Sequence, residues 1–135
     1  MNLKSVTEQF SVAPQIVRDD LMVIKAGGYK TIICHRPDSE ESQQPSYTEI
    51  KAAALALGLT FHYQPVRSGH LCATDVDDFG KLLQASQAPI LAYCRSGRRS
   101  ISLWAMTMLV AGKHSREELL QLSLNAGYDL QDCLY

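Results

Sequence analysis

The stretch that decides the fold is Pro89-Ile90-Leu91-Ala92-Tyr93-Cys94-Arg95-Ser96-Gly97-Arg98-Arg99-Ser100. Its first five residues form a short apolar run, which predicts a buried strand over 89–93. The residues from 100 to 111 are apolar almost all round, which predicts a buried helix. A strand that passes through a short loop into a helix is typical of parallel α/β folds.

The segments on either side repeat this alternation. Capping boxes at Ser46 to Glu49 and at Ser115 to Glu118 mark two helix starts, and Thr74 before an acidic turn marks a third. The order predicts a four-stranded, mainly parallel sheet with helices on both faces. Strands are expected over 9–12, 29–34, 59–66 and 89–93, and helices over 15–26, 47–57, 75–85, 100–111 and from 115 to the 125–127 region.

Length and composition predict a single domain over residues 1–135. The chain has 135 residues, of which 46% are hydrophobic and 20% charged, an ordinary globular balance. A formal net charge of −1 gives no bulk attraction to nucleic acid or anionic membranes. The polar start lacks the apolar core of a signal peptide, and no apolar run has the length of a membrane span. We therefore expect a cytoplasmic protein with no nucleic-acid or membrane partner, while its oligomeric state stays open.

The cysteine pattern argues against a metal site. The chain has 4 cysteines, and they form no Cys-x-x-Cys pair. His70 and Cys72 form one His-x-Cys pair, which falls short of the four ligands of a structural zinc. We expect no metal and no cofactor. Cys34 and Cys72 could resolve an oxidised Cys94, although a buried bystander is the favoured interpretation of Cys34, and Cys133 is expected to have no role.

Cys94 is the expected nucleophile. It lies at the carboxyl end of a predicted strand, where α/β folds bind ligands and where the N–H groups of the following helix converge. Both this position and the nearby Arg95, Arg98 and Arg99 favour the thiolate over the thiol. Cys94 should therefore be the most reactive of the cysteines.

The rest of the loop is expected to bind an anion. Gly97 permits a tight turn, and Ser96 lies beside it. Arg99 can offer a planar, two-pronged donor to an oxyanion. Ser100 can donate its hydroxyl to the thiolate or cap the helix. Arg36 and Asp38, on the loop after the second predicted strand, are possible pocket residues, but Arg36 could equally pair with the neighbouring acids.

The loop resembles that of rhodaneses, whose pattern is Cys-Arg-x-Gly-x-Arg. It is one residue shorter than the Cys-x5-Arg loop of cysteine-dependent phosphatases. Over roughly residues 3–130 the chain resembles the phosphatase-like domain of beta-lactamase-hydrolase-like proteins. The matching pieces include Val12-Ala13-Pro14-Gln15, Gly28-Tyr29-Lys30-Thr31-Ile32-Ile33, Arg36-Pro37-Asp38, Glu40-Glu41, Gln44-Pro45-Ser46, Pro65-Val66, the 94–100 loop and Trp104.

That resemblance implies a protein-tyrosine-phosphatase-like fold and a cysteine-based activity. Members of the family are named as phosphatases, while some act as sulfurtransferases. The common Gly-Gln-Pro near the first strand is replaced here by Ala13-Pro14-Gln15.

Two features favour sulfur transfer through a Cys94 persulfide, from a small sulfane-sulfur donor to a thiol acceptor. The loop has rhodanese length, and residues 65–70 lack the carboxylate that a phosphatase uses to protonate its leaving group. The alternative is a phosphatase that forms a phosphocysteine at Cys94 from a phosphate ester, since Asp38, Glu40 or Glu41 could still reach the site. The third hypothesis is a module that binds an anion or a partner without catalysis.

Overall fold

The computed structural model describes residues 2–134, which form a sheet covered by helices. The strands are β1 (Lys4–Ser5), β2 (Phe10–Ala13), β3 (Thr31–Cys34), β4 (Thr60–Tyr63) and β5 (Ile90–Tyr93). The helices are α1 (Asp20–Ala26), α2 (Tyr47–Ala56), α3 (Ala73–Ala85), α4 (Arg98–Val110) and α5 (Arg116–Asn125). No helix within the described residues is both long and apolar enough to cross a membrane.

The strand order across the sheet is β1-β2-β5-β3-β4. Strands β2, β5, β3 and β4 run parallel, which confirms the mainly parallel α/β sheet. The fifth strand, β1, was not expected, and it pairs antiparallel with β2 through Lys4 and Ser5. Two residues are too few to show an alternating pattern, so periodicity alone could not reveal this strand.

Both faces of the sheet are buried, as the sequence predicts. On β5, Ile90 and Ala92 pack into one core with α3, α4 and α5, whereas Leu91 and Tyr93 pack into a second core with α1 and α2. Because successive strand residues point to opposite faces, a strand buried on both sides is apolar at nearly every position. This requirement explains the continuous apolar run over 89–93.

Helix α4 begins two residues earlier than expected. Gly97 adopts the left-handed conformation, with φ of 91°, and is the residue that caps the helix. Its backbone turns the chain so sharply that Arg98 is already helical. As a result Arg99 lies in the first turn of α4 rather than in the loop.

Two other helix starts differ from the expectation. Helix α3 is capped by Cys72 and not by Thr74, since the Asp75 carboxylate accepts the Cys72 N–H at 3.0 Å. Helix α1 begins at Asp20 and not at Gln15. The backbone N–H of Gln15 is instead bound by the carbonyl oxygen of Arg95, which ties this segment to the Cys94 loop.

The topology brings three strand ends to one edge. Ala13, Cys34 and Tyr93, the last residues of β2, β3 and β5, lie in register. Because the chain passes from β2 to β3 across the position that β5 later fills, this edge is a switch point, where α/β folds bind ligands. The loops that follow these three strands build the site.

Candidate functional site

The loop after β5 wraps around the Cys94 sulfur. Cys94 is fully buried, and the Gly97 N–H donates to its Sγ at 3.1 Å. The Cys94 N–H donates to the carbonyl of Ala13 at 3.3 Å, which anchors the start of the loop to the end of β2. The loop therefore holds the Cys94 sulfur through a backbone N–H.

Tyr128 covers this loop from the outside. Its hydroxyl donates to the Ser96 carbonyl at 2.8 Å, and a Cβ atom on Gly97 would overlap that hydroxyl. Gly97 is therefore required twice, for its positive φ and for the space that Tyr128 occupies. Tyr128 follows α5 and is distant in sequence, so no local pattern could have predicted this contact.

Arg99 is held by an acidic residue and keeps one edge free. Its Nη1 and Nη2 donate to the two carboxylate oxygens of Glu40 at 2.7 and 2.9 Å, and Nη1 also donates to the Val66 carbonyl at 3.0 Å. A guanidinium has five N–H groups, so the Nε–H and the second Nη2–H remain. These two have no partner among residues 2–134, and they form a parallel fork that can receive two oxygens of an oxyanion.

Arg36 supports this arrangement from behind. It is buried, and its Nε donates to Glu40 at 2.9 Å while its Nη2 donates to Glu41 at 2.7 Å. Of the two alternatives for Arg36, the ion pair with neighbouring acids is the one observed. Hydrogen bonding to Arg99, reinforced by Arg36, lowers the pKa of Glu40, and the same bond raises the pKa of Arg99. Glu40 is thus a carboxylate at neutral pH.

Asp38 organises the loop and lies apart from Cys94. Its carboxylate accepts the Tyr47 N–H at 2.8 Å at the start of α2, and its own N–H donates to the Tyr63 hydroxyl at 3.2 Å. It lines a neighbouring cavity of 470 Å³ and not the cavity beside the Cys94 loop. Asp38 was expected as a possible pocket residue, and the structure places it in this neighbouring cavity.

Ser100 takes neither of its two expected roles. Its Oγ lies 2.8 Å from His35 Nδ1. The Gln64 amide donates to the Asp75 carbonyl, so its oxygen faces His35 Nε2 at 3.3 Å and requires a proton there. Burial lowers the pKa of His35 to about 4, so the ring is neutral and Nδ1 must accept. The Ser100 hydroxyl therefore donates to His35 and not to Cys94.

Sequence reasoning did not single out His35, although one signal was present. His35 directly follows β3, and Cys34 pairs with Tyr93 across the sheet. Parallel register alone therefore places His35 beside Cys94, at the same strand edge.

The remaining cysteines differ in their surroundings. Cys34 is 2% exposed, and burial raises its pKa to about 11, which makes it a poor nucleophile. Cys72 is exposed at the start of α3 and does not line the cavity beside the loop. Cys133, expected to have no role, lines the cavity beside the loop, with its Sγ 3.3 Å from Arg98 Nη2.

A cavity of 930 Å³ opens beside the Cys94 loop. Arginines and two carboxylates line much of it, and apolar side chains line another part. Within residues 2–134, no cluster of three or more His, Cys, Asp or Glu side chains could hold a metal ion. The main lining residues are Glu40, Arg67, Leu71, Arg95, Arg98, Arg99, Met106, Asp132 and Cys133.

Comparison with solved structures identifies the fold. A crystal structure of a candidate phosphatase from Neisseria meningitidis is 35% identical, with a TM-score of 0.88, and the match covers 98% of this chain and 93% of that chain. TpbA of P. aeruginosa in complex with pTyr is 16% identical, with a TM-score of 0.71, and the match covers 97% and 77%. The second likeness concerns the fold alone. The expected protein-tyrosine-phosphatase-like fold is thereby confirmed.

Comparison with known sequences gives the family. A beta-lactamase hydrolase-like protein of Xylella fastidiosa is 29% identical over 130 residues, which are 96% of this chain and 30% of that protein. The chain thus spans about 30% of the length of the curated relatives it matches. Residues 2–111 match the family model described as "Beta-lactamase hydrolase-like protein, phosphatase-like domain". Because that match covers most of the chain, the protein belongs to the phosphatase-like domain family of the beta-lactamase hydrolase-like proteins.

Proposed function

We propose that the protein hydrolyses phosphate monoesters, with Cys94 as nucleophile and Arg99 as the group that binds the phosphoryl oxygens. The observation that carries this proposal is the free Nε/Nη2 edge of Arg99 in the first turn of α4, next to the loop whose Gly97 N–H donates to the Cys94 sulfur. The family description and the phosphatase structures of the same fold support it. They favour the phosphatase alternative over sulfur transfer.

The reaction has two steps. The Cys94 thiolate attacks phosphorus, an S–P bond forms, and the P–O bond to the leaving group breaks. A water molecule then attacks phosphorus, the S–P bond breaks, and inorganic phosphate leaves while the thiolate is restored. Arg99 and the loop N–H groups stabilise the charge on the phosphoryl oxygens in both steps.

The supply of a proton to the leaving group limits the choice of substrate. Glu40 is ionised by its arginine partners and cannot donate a proton at neutral pH. Asp132 also lines the cavity, and it contacts no arginine or lysine among the described residues. Substrates whose leaving group departs as a stable anion, such as nitrophenyl phosphates and phosphoanhydrides, depend least on such an acid. These are the substrates that we expect to react fastest.

The test is the hydrolysis of p-nitrophenyl phosphate by the wild-type protein and by Cys94→Ser. We expect the variant to lose at least about 10³-fold in kcat. The wild type, quenched in acid during turnover, should carry a phosphoryl group on Cys94 that peptide mass spectrometry detects. A matched Cys72→Ser variant should keep its activity, because Cys72 is exposed and does not line the cavity beside the Cys94 loop. Equal activity of Cys94→Ser and wild type would refute the proposal.

Sulfur transfer is the second candidate, because one feature specifically favours it. Four residues separate Cys94 from Arg99, as in rhodaneses. The same preparations should therefore be incubated with thiosulfate and a thiol acceptor. A persulfide on Cys94, with no hydrolysis of aryl phosphates, would replace the first proposal by the second.

A further inference from the structure

The cavity beside the loop is larger than one phosphoryl group requires. Its volume of 930 Å³ falls within the range of about 300–1,000 Å³ that is typical of sites for whole small molecules. Four arginines line it against two carboxylates, in a protein whose formal net charge is −1. The lining therefore carries an excess of positive charge, although the chain as a whole is slightly negative.

The arginines of the cavity fall into two pairs. Arg99 and Arg95 each contact an acidic side chain, Glu40 at 2.7 Å and Glu41 at 3.2 Å respectively. Arg67 and Arg98 contact no carboxylate among residues 2–134, although both line the same cavity. The charge of this second pair is uncompensated inside the protein.

The position of Arg98 makes its uncompensated positive charge unfavourable for the stability of the fold. Arg98 is the first residue of α4, a helix of 13 residues with no acidic residue in its first turn. A cation at a helix N-terminus opposes the helix dipole. A residue that reduces stability at the edge of a functional cavity is typical of a binding function.

We propose that Arg67 and Arg98 bind a second anionic group of the substrate, and that the preferred substrates are small molecules with two or more phosphate groups. This inference rests on the proposed function, because the first phosphate is the one that Arg99 and the Cys94 loop bind. The second phosphate lies at Arg67 and Arg98, and the carbon scaffold, where there is one, lies against Leu71 and Met106. If the two phosphates are joined as an anhydride, phosphate itself is the leaving group and needs no general acid.

The inference is tested by calorimetric titration of Cys94→Ser protein, which binds without turnover, with inorganic phosphate and with inorganic pyrophosphate. A charge-assisted hydrogen bond contributes about 1.5–3 kcal/mol, so pyrophosphate should bind at least about 10-fold more tightly than phosphate. Adding Arg67→Gln and Arg98→Gln should remove this preference, so that the ratio of the two affinities falls to about one. Arg67, Arg98 and Arg18 all lie outside the cores. The matched control is Arg18→Gln, which removes an exposed arginine away from the cavity.

Two outcomes would overturn the inference alone. The first is equal affinity for phosphate and pyrophosphate, and the second is a preference for pyrophosphate that survives the double substitution. In both cases the wild type still hydrolyses p-nitrophenyl phosphate. Failure of the proposed function would look different, because the wild type would not hydrolyse p-nitrophenyl phosphate and phosphate would not bind to Cys94→Ser. Retention of the preference in Arg18→Gln is required for the result to support the inference.

Discussion

Glu40 determines how Arg99 can be used. The carboxylate binds both Nη atoms of Arg99, and Arg36 binds the same carboxylate from the buried side. The side chain of a free arginine can adopt many rotamers, whereas this pairing leaves one edge directed toward a ligand. Glu40 is in this view a positioning residue.

We predict that Glu40→Gln lowers kcat/KM for p-nitrophenyl phosphate by about 10- to 10²-fold. The reason is that even a small displacement of the Arg99 guanidinium, which binds the substrate, lowers the reaction rate strongly. Since Arg99 lowers the pKa of Glu40, the ion pair persists above the ordinary carboxylate pKa of about 4.3 and is lost only as the pH falls through the lowered value. The wild type should thus keep its Arg99 pairing throughout the neutral range. Steady-state kinetics between pH 5 and pH 8 measure both effects.

Glu41→Gln is the control for this prediction. Glu41 binds Arg36 and Arg95 but not Arg99, so its substitution should change kcat/KM much less. If Glu40→Gln and Glu41→Gln behaved alike, the positioning role of Glu40 would be wrong.

At the scale of an element, α4 joins the site to the core. Its first turn carries Arg98, Arg99 and Ser100, and its later residues, such as Leu103 and Trp104, are buried against the sheet. The helix is stabilised by this packing and destabilised at its start by the adjacent arginines. Function and stability are therefore in conflict within one helix.

We predict that Arg98→Gln increases the free energy of unfolding of the ligand-free protein by about 0.3–1 kcal/mol at low ionic strength. The gain should shrink as salt is added, because the dipole interaction is screened. Urea denaturation followed by the fluorescence of Trp104, the single tryptophan, measures it. Lys51→Gln, an exposed substitution within α2, should change stability little. A loss of stability in Arg98→Gln would show that Arg98 makes a favourable contact instead.

At the scale of the whole molecule, the site lies between two separate cores. The core of α1 and α2 and the core of α3, α4 and α5 meet at the central strands, and β5 contributes to both. His35 lies at this junction, fully buried, with its ring 4.9 Å from that of Phe79 in an edge-on contact. Its protonation is therefore coupled to the folding of the entire chain.

We predict that stability falls with acidification between about pH 6.5 and pH 4. Burial lowers the pKa of His35 to about 4, with Arg99 acting in the same direction and Asp75 in the opposite one. In the unfolded chain the His35 side chain takes up a proton near pH 6.5, whereas in the folded chain it does so only near pH 4. The contribution of His35 to stability is therefore full above pH 6.5 and is lost as the pH falls. The loss attributable to His35 amounts to about 3 kcal/mol.

Urea titrations at several pH values measure this dependence in the wild type and in His35→Gln. The variant should show a smaller loss over the same pH range, even if it is less stable overall. His70→Gln, an exposed substitution, should keep the wild-type dependence. The prediction is wrong if wild type and His35→Gln lose stability in parallel.

Much of the fold follows from the sequence because its signals are local. The apolar run over 89–93, the N-cap at Ser46, the capping box at Ser115 and the glycine at position 97 each act within a few residues. Together they predict the alternation of strands and helices, and hence a parallel sheet with Cys94 at a strand end. The sequence alone also predicted a loop that begins at Cys94, but this loop ends at Gly97 because Arg98 and Arg99 already belong to α4.

Only the tertiary structure decided the partners of those residues. Glu40 on Arg99, His35 on Ser100, Tyr128 over Gly97 and Cys133 beside Arg98 all join positions more than 30 residues apart. The first two contacts depend on the strand order β1-β2-β5-β3-β4, which places the ends of β3 and β5 together. Tyr128 and Cys133 reach the loop from the segment that follows α5. Periodicity and capping describe a chain over one or two turns, and they carry no information about which distant loops meet. Contacts between distant loops decide the direction in which the Ser100 hydroxyl donates and which edge of Arg99 stays free.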